Sequence, residues 1–180
     1  MVHIGNTFEQ AIAKFYSESE FSLLQEAVIG IMGAGGLGSN CVVNLARSGI
    51  RHFIIADYDR VEMSNLNRQY YFPHHVGQFK VDALQDILTE INPNITVVTY
   101  REALTKDSIP VIYDAADILI EAFDSADAKS MFVEGTLSIL SVARFIICSG
   151  DQCSFIFSSI YSTSLSLYLL FLWHFFLLSS

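Results

Sequence analysis

The run Gly33-Ala34-Gly35-Gly36-Leu37-Gly38-Ser39 constrains this chain more than any other stretch. It follows the apolar run Ala27 to Met32 and opens a segment whose apolar positions Cys41, Val42 and Leu45 recur at helical spacing, with Gly49 as a stop. A strand that passes through closely spaced glycines into a helix lets a phosphate meet free backbone N–H groups at the helix N-terminus. Gly33 permits the tight turn, Gly35 lets the backbone approach a phosphate, and Gly38 lets helix and strand pack closely. His52 to Ala56 reads as the second strand, with Asp57 at its carboxyl end about 20 residues beyond the glycines. A carboxylate there accepts hydrogen bonds from ribose hydroxyls, or else serves as an ordinary turn former.

The remaining chain continues the alternation. Thr7 to Leu24 reads as one helix capped by Thr7, and Arg60 to Phe72 as a polar, irregular loop containing Ser64-Asn65-Leu66-Asn67-Arg68-Gln69 and ended by Pro73. Val81, Leu84, Ile87, Leu88 and Ile91 mark a helix with Lys80 in its first turn. A lysine there opposes the helix dipole, which an anionic ligand would relieve; a solvated surface lysine is the alternative. Ile95 to Tyr100 is a third strand, a short helix follows within Thr105 to Asp114, and Asp117 to Phe123 is a fourth strand ending at Asp124. Asp124 or Ser125 caps the next helix, which places Met131, Phe132, Leu137 and Leu140 on the core, and Arg144 to Ser149 is a fifth strand. The expected fold is a doubly wound, mostly parallel, Rossmann-like α/β domain over residues 1–153, with its sheet edge incomplete.

Composition narrows the function. Ten Lys and Arg against 19 Asp and Glu leave a net charge of −9, which disfavours a nucleic-acid surface built from clustered cations. Three cysteines, Cys41, Cys148 and Cys153, make neither a disulfide framework nor a zinc pattern, and Cys41 reads as core. The opening Met-Val-His-Ile-Gly has no basic region followed by an apolar block, so the expectation is a cytoplasmic protein without a secretory signal. At the crevice, the topology gathers the glycine loop, Asp57, Asn65 to Arg68, Lys80 and Asp124. Hydride transfer does not call for the last three. Cations beside a phosphate loop suit a triphosphate, and a further acid suits Mg²⁺.

Gly33-x-Gly-Gly-Leu-Gly-Ser, Ala56-Asp-Tyr-Asp-x-Val-Glu, Ser64-Asn-Leu-Asn-Arg-Gln, Gly77-x-x-Lys80 and Glu121-Ala-Phe-Asp-Ser resemble the adenylyltransferases of sulfur carrier proteins, the ThiF and MoeB family, which is related to ubiquitin-activating enzymes. The likeness runs from about Phe8 to Gly150 and looks nearest to the ThiF branch. It implies ATP and Mg²⁺ as cofactors, a ThiS-like sulfur carrier protein of thiamine thiazole synthesis as partner, and association into a homodimer. The activity implied is adenylation of the carrier's C-terminal glycine with release of pyrophosphate. By the same resemblance Gly36 lies at the phosphates, Asp57 holds the ribose, Asn65, Arg68 and Lys80 contact the phosphates, and Asp124 binds Mg²⁺. Gly33, Gly35, Gly38, Ser64, Asn67 and Ser125 complete the nucleotide set, with Arg68, Lys80 and Asp124 as the catalytic group. Many members use an arginine before the glycine loop, whereas Lys14 is the only Lys or Arg before Gly33 here. Two other readings stay open: a relative that activates a tRNA-base carboxylate, and a non-catalytic protein that binds nucleotide or a partner.

Every Asp, Glu, Lys and Arg lies at or before Asp151, so residues 154–180 carry no charge. Three readings compete for that segment. A membrane helix needs roughly 20 apolar residues, and serines interrupt the first half. A core element would need further strands. The preferred reading is that the segment is not the fold's own sequence, since Phe, Ser, Leu, Tyr, Cys and Trp share T-initial codons and a T-rich stretch read out of frame would look like this. On that reading the 180-residue chain is expected to associate through Phe155 to Leu178 and to adenylate a carrier poorly.

Overall fold

A computed structural model describes residues 6–124, Ser130, Glu134 and the backbone of Arg144–Ile147. Five strands form one sheet: β1 Val28–Met32, β2 His52–Ala56, β3 Thr96–Tyr100, β4 Ile118–Glu121 and β5 Arg144–Ile147. All pairings are parallel and the order is β3-β2-β1-β4-β5. The chain therefore builds outward from β1 on one side and then returns to start the other side at β4. That reversal opens a crevice beyond the carboxyl ends of β1 and β4, where ligands bind in open parallel sheets.

Residue alternation along the strands separates two faces. Ile29, Ile31, Phe53, Ile55, Ile118 and Ile120 share one core with Val42, Val43 and Ala46 of α3 (Gly36–Arg47) and Val81, Leu84 and Leu88 of α4 (Lys80–Ile91). Met32, Ile54, Ala56 and Leu119 point the other way and pack with Ile109, Ile112 and Tyr113 of the short helix Ile109–Ile112. Both faces of the central strands are thus buried, which is why they read as continuous apolar runs rather than alternating ones. Cys41 packs against the first core, where burial pushes its thiol up to about 12 and leaves it inert.

Among the described residues the strand and helix expectations hold to within two residues except at the amino-terminal helix. The single helix expected over Thr7 to Leu24 is two: α1 (Thr7–Ile12) runs into a 3-10 turn, and α2 spans Glu18–Glu26. The Asn6 side chain, not Thr7, caps α1, accepting from the Glu9 N–H. Ser17 caps α2 in a reciprocal capping box with Glu20, a Ser-x-x-Glu signature that overrides the apolar spacing through Phe15 and Tyr16. The fourth strand stops at Glu121 rather than Phe123, because the Glu121 carboxylate turns back to accept from the Phe123 N–H at 2.6 Å. The cap expected at Ser125, the core positions Met131 to Leu140, Cys148, Cys153 and the segment 154–180 lie outside the described residues, as does any test of a domain boundary at 153. Among the described residues no helix is long and apolar enough to cross a membrane.

At the amino end of the sheet, remote from the crevice, a carboxylate organises the packing of α1. Glu9 is 1% exposed and accepts from Arg51 Nε and Nη2, both at 2.6 Å, from Asn92 Nδ2 at 3.0 Å and from Asn94 Nδ2 at 2.9 Å. Asn6 Nδ2 donates to Asn92 Oδ1 at 2.7 Å, so the residue that caps α1 also joins the network.

Candidate functional site

β1 ends at Met32, and the chain turns at Gly33 with φ +95°, a conformation that L side chains rarely adopt. The turn is knitted to its neighbours: Gly33 N–H donates to Ala56 O, and Ala122 N–H to Met32 O. Gly38 lies in the first turn of α3, so close to the strand end that a Cβ would sit 1.9 Å from the Gly33 carbonyl oxygen. A Gly38→Ala variant therefore sets a helix-propensity gain of about 1 kcal/mol against a backbone collision that must displace the loop. We expect a net loss of about 1–3 kcal/mol in urea unfolding; a variant as stable as wild type would show that the approach is not tight.

Gly35 and Gly36 are different. A Cβ on Gly35 would meet nothing nearer than Gln69 Nε2 at 4.0 Å, and one on Gly36 only Arg68, at 3.8 Å from its Cγ. These two positions leave a shallow open cradle in front of α3, whose N-cap Gly35 offers no side-chain acceptor. The first N–H groups of the helix are consequently available to a ligand.

The polar loop is docked over this cradle. Its Met63–Asn65 portion is a 3-10 turn, not an irregular coil. Three bonds tie it to α3 and the turn before it: Asn40 Nδ2 donates to Arg68 O at 2.9 Å, Tyr70 N–H to Ser39 Oγ at 3.0 Å, and Tyr71 OH to Ala34 O at 2.6 Å. Burial, and next the charges of Asp57 and Asp59, push the Tyr71 phenol up, which keeps it a neutral donor. Arg68 itself is exposed. Its Nη1 donates to Ser64 O at 3.2 Å and to Asn67 Oδ1 at 3.0 Å, and among the described residues no ion pair holds it. Ser64 Oγ in turn donates to Glu62.

Asp57 stands at the carboxyl end of β2, and both its oxygens already work: Oδ2 accepts from Ala34 N–H and Oδ1 from Asp59 N–H, each at 2.7 Å. It thereby braces the glycine turn. A carboxylate has about four acceptor sites, so two remain for a ligand.

Three of the expected phosphate or metal residues have surroundings that the sequence did not show. Lys80 is not a solvated surface lysine: it is 6% exposed, and Nζ donates to Asp59 Oδ2 at 2.7 Å, which leaves two of its three N–H donors. Asp59 relieves the helix-terminus misfit, and its own carbonyl takes the Lys80 N–H. Asn65 is buried, with Oδ1 accepting from Glu62 N–H at 2.9 Å, so that oxygen serves the loop. Asp124 lies three residues past the end of β4 and is exposed. A Cβ on Gly33 would lie 3.6 Å from Cδ1 of the neighbouring Phe123, so this segment runs close to the glycine turn. Among the described residues no group of three or more His, Cys, Asp or Glu gathers to hold a metal ion.

Sequence reading passed over Asp59, Asn40, Tyr71 and Gln69 as site residues. Gln69 had a usable signal, since it sits inside the quoted Asn-Arg-Gln run. It is 8% exposed and its Oε1 has no hydrogen-bond partner among the described residues. An orphaned buried acceptor costs about 1–3 kcal/mol, and finding one beside the Gly35 cradle fits a pocket completed by a ligand.

The family model described as the ThiF family matches residues 8–135. The adenylyltransferase and sulfurtransferase MOCS3 of Culex quinquefasciatus is 41% identical over 107 residues, which is 59% of this chain and 24% of that protein. The ubiquitin-like modifier-activating enzyme 5 of Bombyx mori is 32% identical over 122 residues, 62% of this chain and 31% of that one. The chain thus spans less than a third of the length of these relatives. A crystal structure of E. coli tRNA N6-threonylcarbamoyladenosine dehydratase, TcdA, in complex with ATP is similar with a TM-score of 0.74 and 26% identity, over 85% of this chain and 65% of that one.

Proposed function

Because the chain belongs to the ThiF family, we propose that it binds ATP at the glycine cradle and activates a carboxylate by adenylyl transfer. The observation that carries this is Arg68, a cation without an acidic partner among the described residues, held over Gly36 where the α3 N–H groups are open. A triphosphate bound there meets the helix N-terminus and Arg68 together. Lys80 adds a second cation through the two donors that Asp59 leaves it, and Asn65 adds its Nδ2. The two acceptor sites left on Asp57 suit ribose hydroxyls. Gly33, Gly38, Ser64 and Asn67 would line the site on this reading, and Ser125, outside the described residues, is kept as an expected nucleotide contact from the sequence alone. Asp124, a single exposed carboxylate, fits Mg²⁺, which takes one or two carboxylates and completes its shell with phosphate oxygens and water; the ion would neutralise charge on the departing phosphates.

The chemistry asks little proton transfer of the protein. A substrate α-carboxylate with pKa about 3.5 is ionised at neutral pH, so no general base is needed. It attacks the α-phosphorus; a carboxyl C–O–P bond forms, the α–β phosphoanhydride breaks, and pyrophosphate leaves. The obstacle is bringing an anion to a polyanion, and Arg68 and Lys80 lower it by stabilising charge at the β and γ oxygens.

Two sources of the carboxylate have support. The names of the curated relatives, a sulfurtransferase and a ubiquitin-like modifier-activating enzyme, favour the C-terminal glycine of a small ubiquitin-like carrier, of which a ThiS-like protein is one member. The likeness to a tRNA dehydratase over 85% of this chain favours a carboxylate on a modified tRNA base. The net charge of −9 counts against the second. Exchange of labelled pyrophosphate into ATP decides between them. Exchange that requires a carrier ending in glycine supports the first; exchange that requires tRNA supports the second. Binding of NAD in preference to ATP–Mg²⁺ in calorimetry overturns both.

A further inference from the structure

The geometry points to Asn40 as a positioning residue for Arg68, an inference that rests on the phosphate role proposed above. Asn40 lies one turn into α3 and its Nδ2 makes two bonds, to Gly36 O at 2.7 Å and to Arg68 O at 2.9 Å. A side-chain amide has two N–H donors, and here both are spent on carbonyls. One carbonyl belongs to the cradle and the other to the residue whose side chain lies over it. The amide therefore sets the spacing between the Gly36 peptide and the Arg68 peptide directly. The Arg68 N–H donates to Asn65 O within the loop, and the other ties to α3 and its preceding turn reach Tyr70 and Tyr71, so among the described residues the Asn40 amide is what joins the Arg68 carbonyl to α3.

The choice of residue is informative. Asparagine in a helix interior is a poorer helix former than alanine by roughly 0.5 kcal/mol or more, and Asn40 is only half-buried, so packing does not account for it. Aspartate has the same shape and no donor, and would set its charge against two carbonyl oxygens. Serine has one donor and a shorter reach. Arg68 carries its guanidinium on a long side chain whose only partners among the described residues are neutral oxygens of its own loop. Its placement over the cradle thus depends on where its backbone is held, and positioning errors of about 1 Å are costly at a site of this kind.

Calorimetric binding of ATP–Mg²⁺ and of adenosine to the 180-residue chain and to its Asn40→Ala, Asn40→Asp, Arg68→Ala and Asn40→Ala/Arg68→Ala variants tests this. Asn40→Ala is expected to fold with urea stability little changed, since its helix-propensity gain offsets part of the two lost hydrogen bonds, to bind ATP–Mg²⁺ about tenfold more weakly, and to bind adenosine as wild type does. Asn40→Asp loses at least as much. In the Arg68→Ala background the Asn40 substitution is expected to have no further effect, because the group it positions is gone. If Arg68→Ala leaves ATP affinity unchanged, the phosphate role fails and the inference with it. If Arg68→Ala weakens ATP while both Asn40 variants bind normally, the positioning role alone is overturned. An Asn40 loss that persists in the Arg68→Ala background, or that is equal for adenosine, assigns Asn40 a general structural role and also overturns it.

Discussion

Glu9→Ala is expected to lower the unfolding free energy by about 3–5 kcal/mol, the usual cost of removing one partner from a buried ion pair. The substitution removes the acceptor of three donor groups at once: the Arg51 guanidinium and the Asn94 amide, which water can reach, and the fully buried Asn92 amide, which it cannot. Against a typical total of about 5–15 kcal/mol, such a loss is roughly a third to a half of the stability at the middle of that range. Glu9→Gln should fall between the two, since its amide keeps the shape but turns a donor toward donors. The pH dependence has a definite sign. Burial raises the Glu9 carboxyl, but the hydrogen bonds from Arg51, Asn92 and Asn94 and the Arg51 charge outweigh it, and the net shift is below the ordinary 4.5. A depressed folded pKa means stability that is fully present above 4.5 and is lost as pH falls through the folded value. Urea unfolding of wild type and Glu9→Ala should therefore differ most at neutral pH and converge in acid. Equal midpoints at pH 7 would mean that α1 is held by something else.

Arg68→Ala is expected to cut adenylation at least about 10²-fold, the scale seen when one electrostatic contact to developing charge is removed. It should leave stability within about 0.5 kcal/mol, because the side chain is exposed and its partners are neutral oxygens that water can replace. Carrier- or tRNA-dependent pyrophosphate exchange measures the first and urea unfolding the second. Unchanged exchange would make the loop a structural element. Lys80 does not offer so clean a comparison. It is buried and paired with Asp59, so its removal disturbs the amino end of α4 as well as any phosphate contact.

Much of this protein follows from patterns that act over a few residues. The parallel order rests on apolar runs bounded by turn residues, since a short strand buried on both faces must read Ile-Gly-Ile-Met or Phe-Ile-Ile-Ala. Gly33 and Gly38 were legible because a positive φ and a Cβ-forbidding approach admit nothing else. Asp57 was legible because its place at the end of β2 follows from strand length. Even the break between α1 and α2 had a local signature in Ser17-x-x-Glu20, hidden only by stronger apolar spacing.

The tertiary structure decided the pairings. Glu9 meets Arg51, Asn92 and Asn94 across 42, 83 and 85 residues, Lys80 meets Asp59 across 21, and Tyr71 reaches Ala34 across 37. Periodicity reports which face of an element a residue occupies, not which distant side chain will stand opposite it. That opposition depends on where whole helices settle on the sheet, to within the few tenths of an ångström that separate a hydrogen bond from a gap. The identity of Lys80 therefore allowed a solvated lysine or a phosphate ligand, and only the docking of α4 against the end of β2 showed a buried cation already shared with Asp59. Asn40 likewise reads as an ordinary polar helix position until the loop folds back and sets the Arg68 carbonyl within reach of its amide.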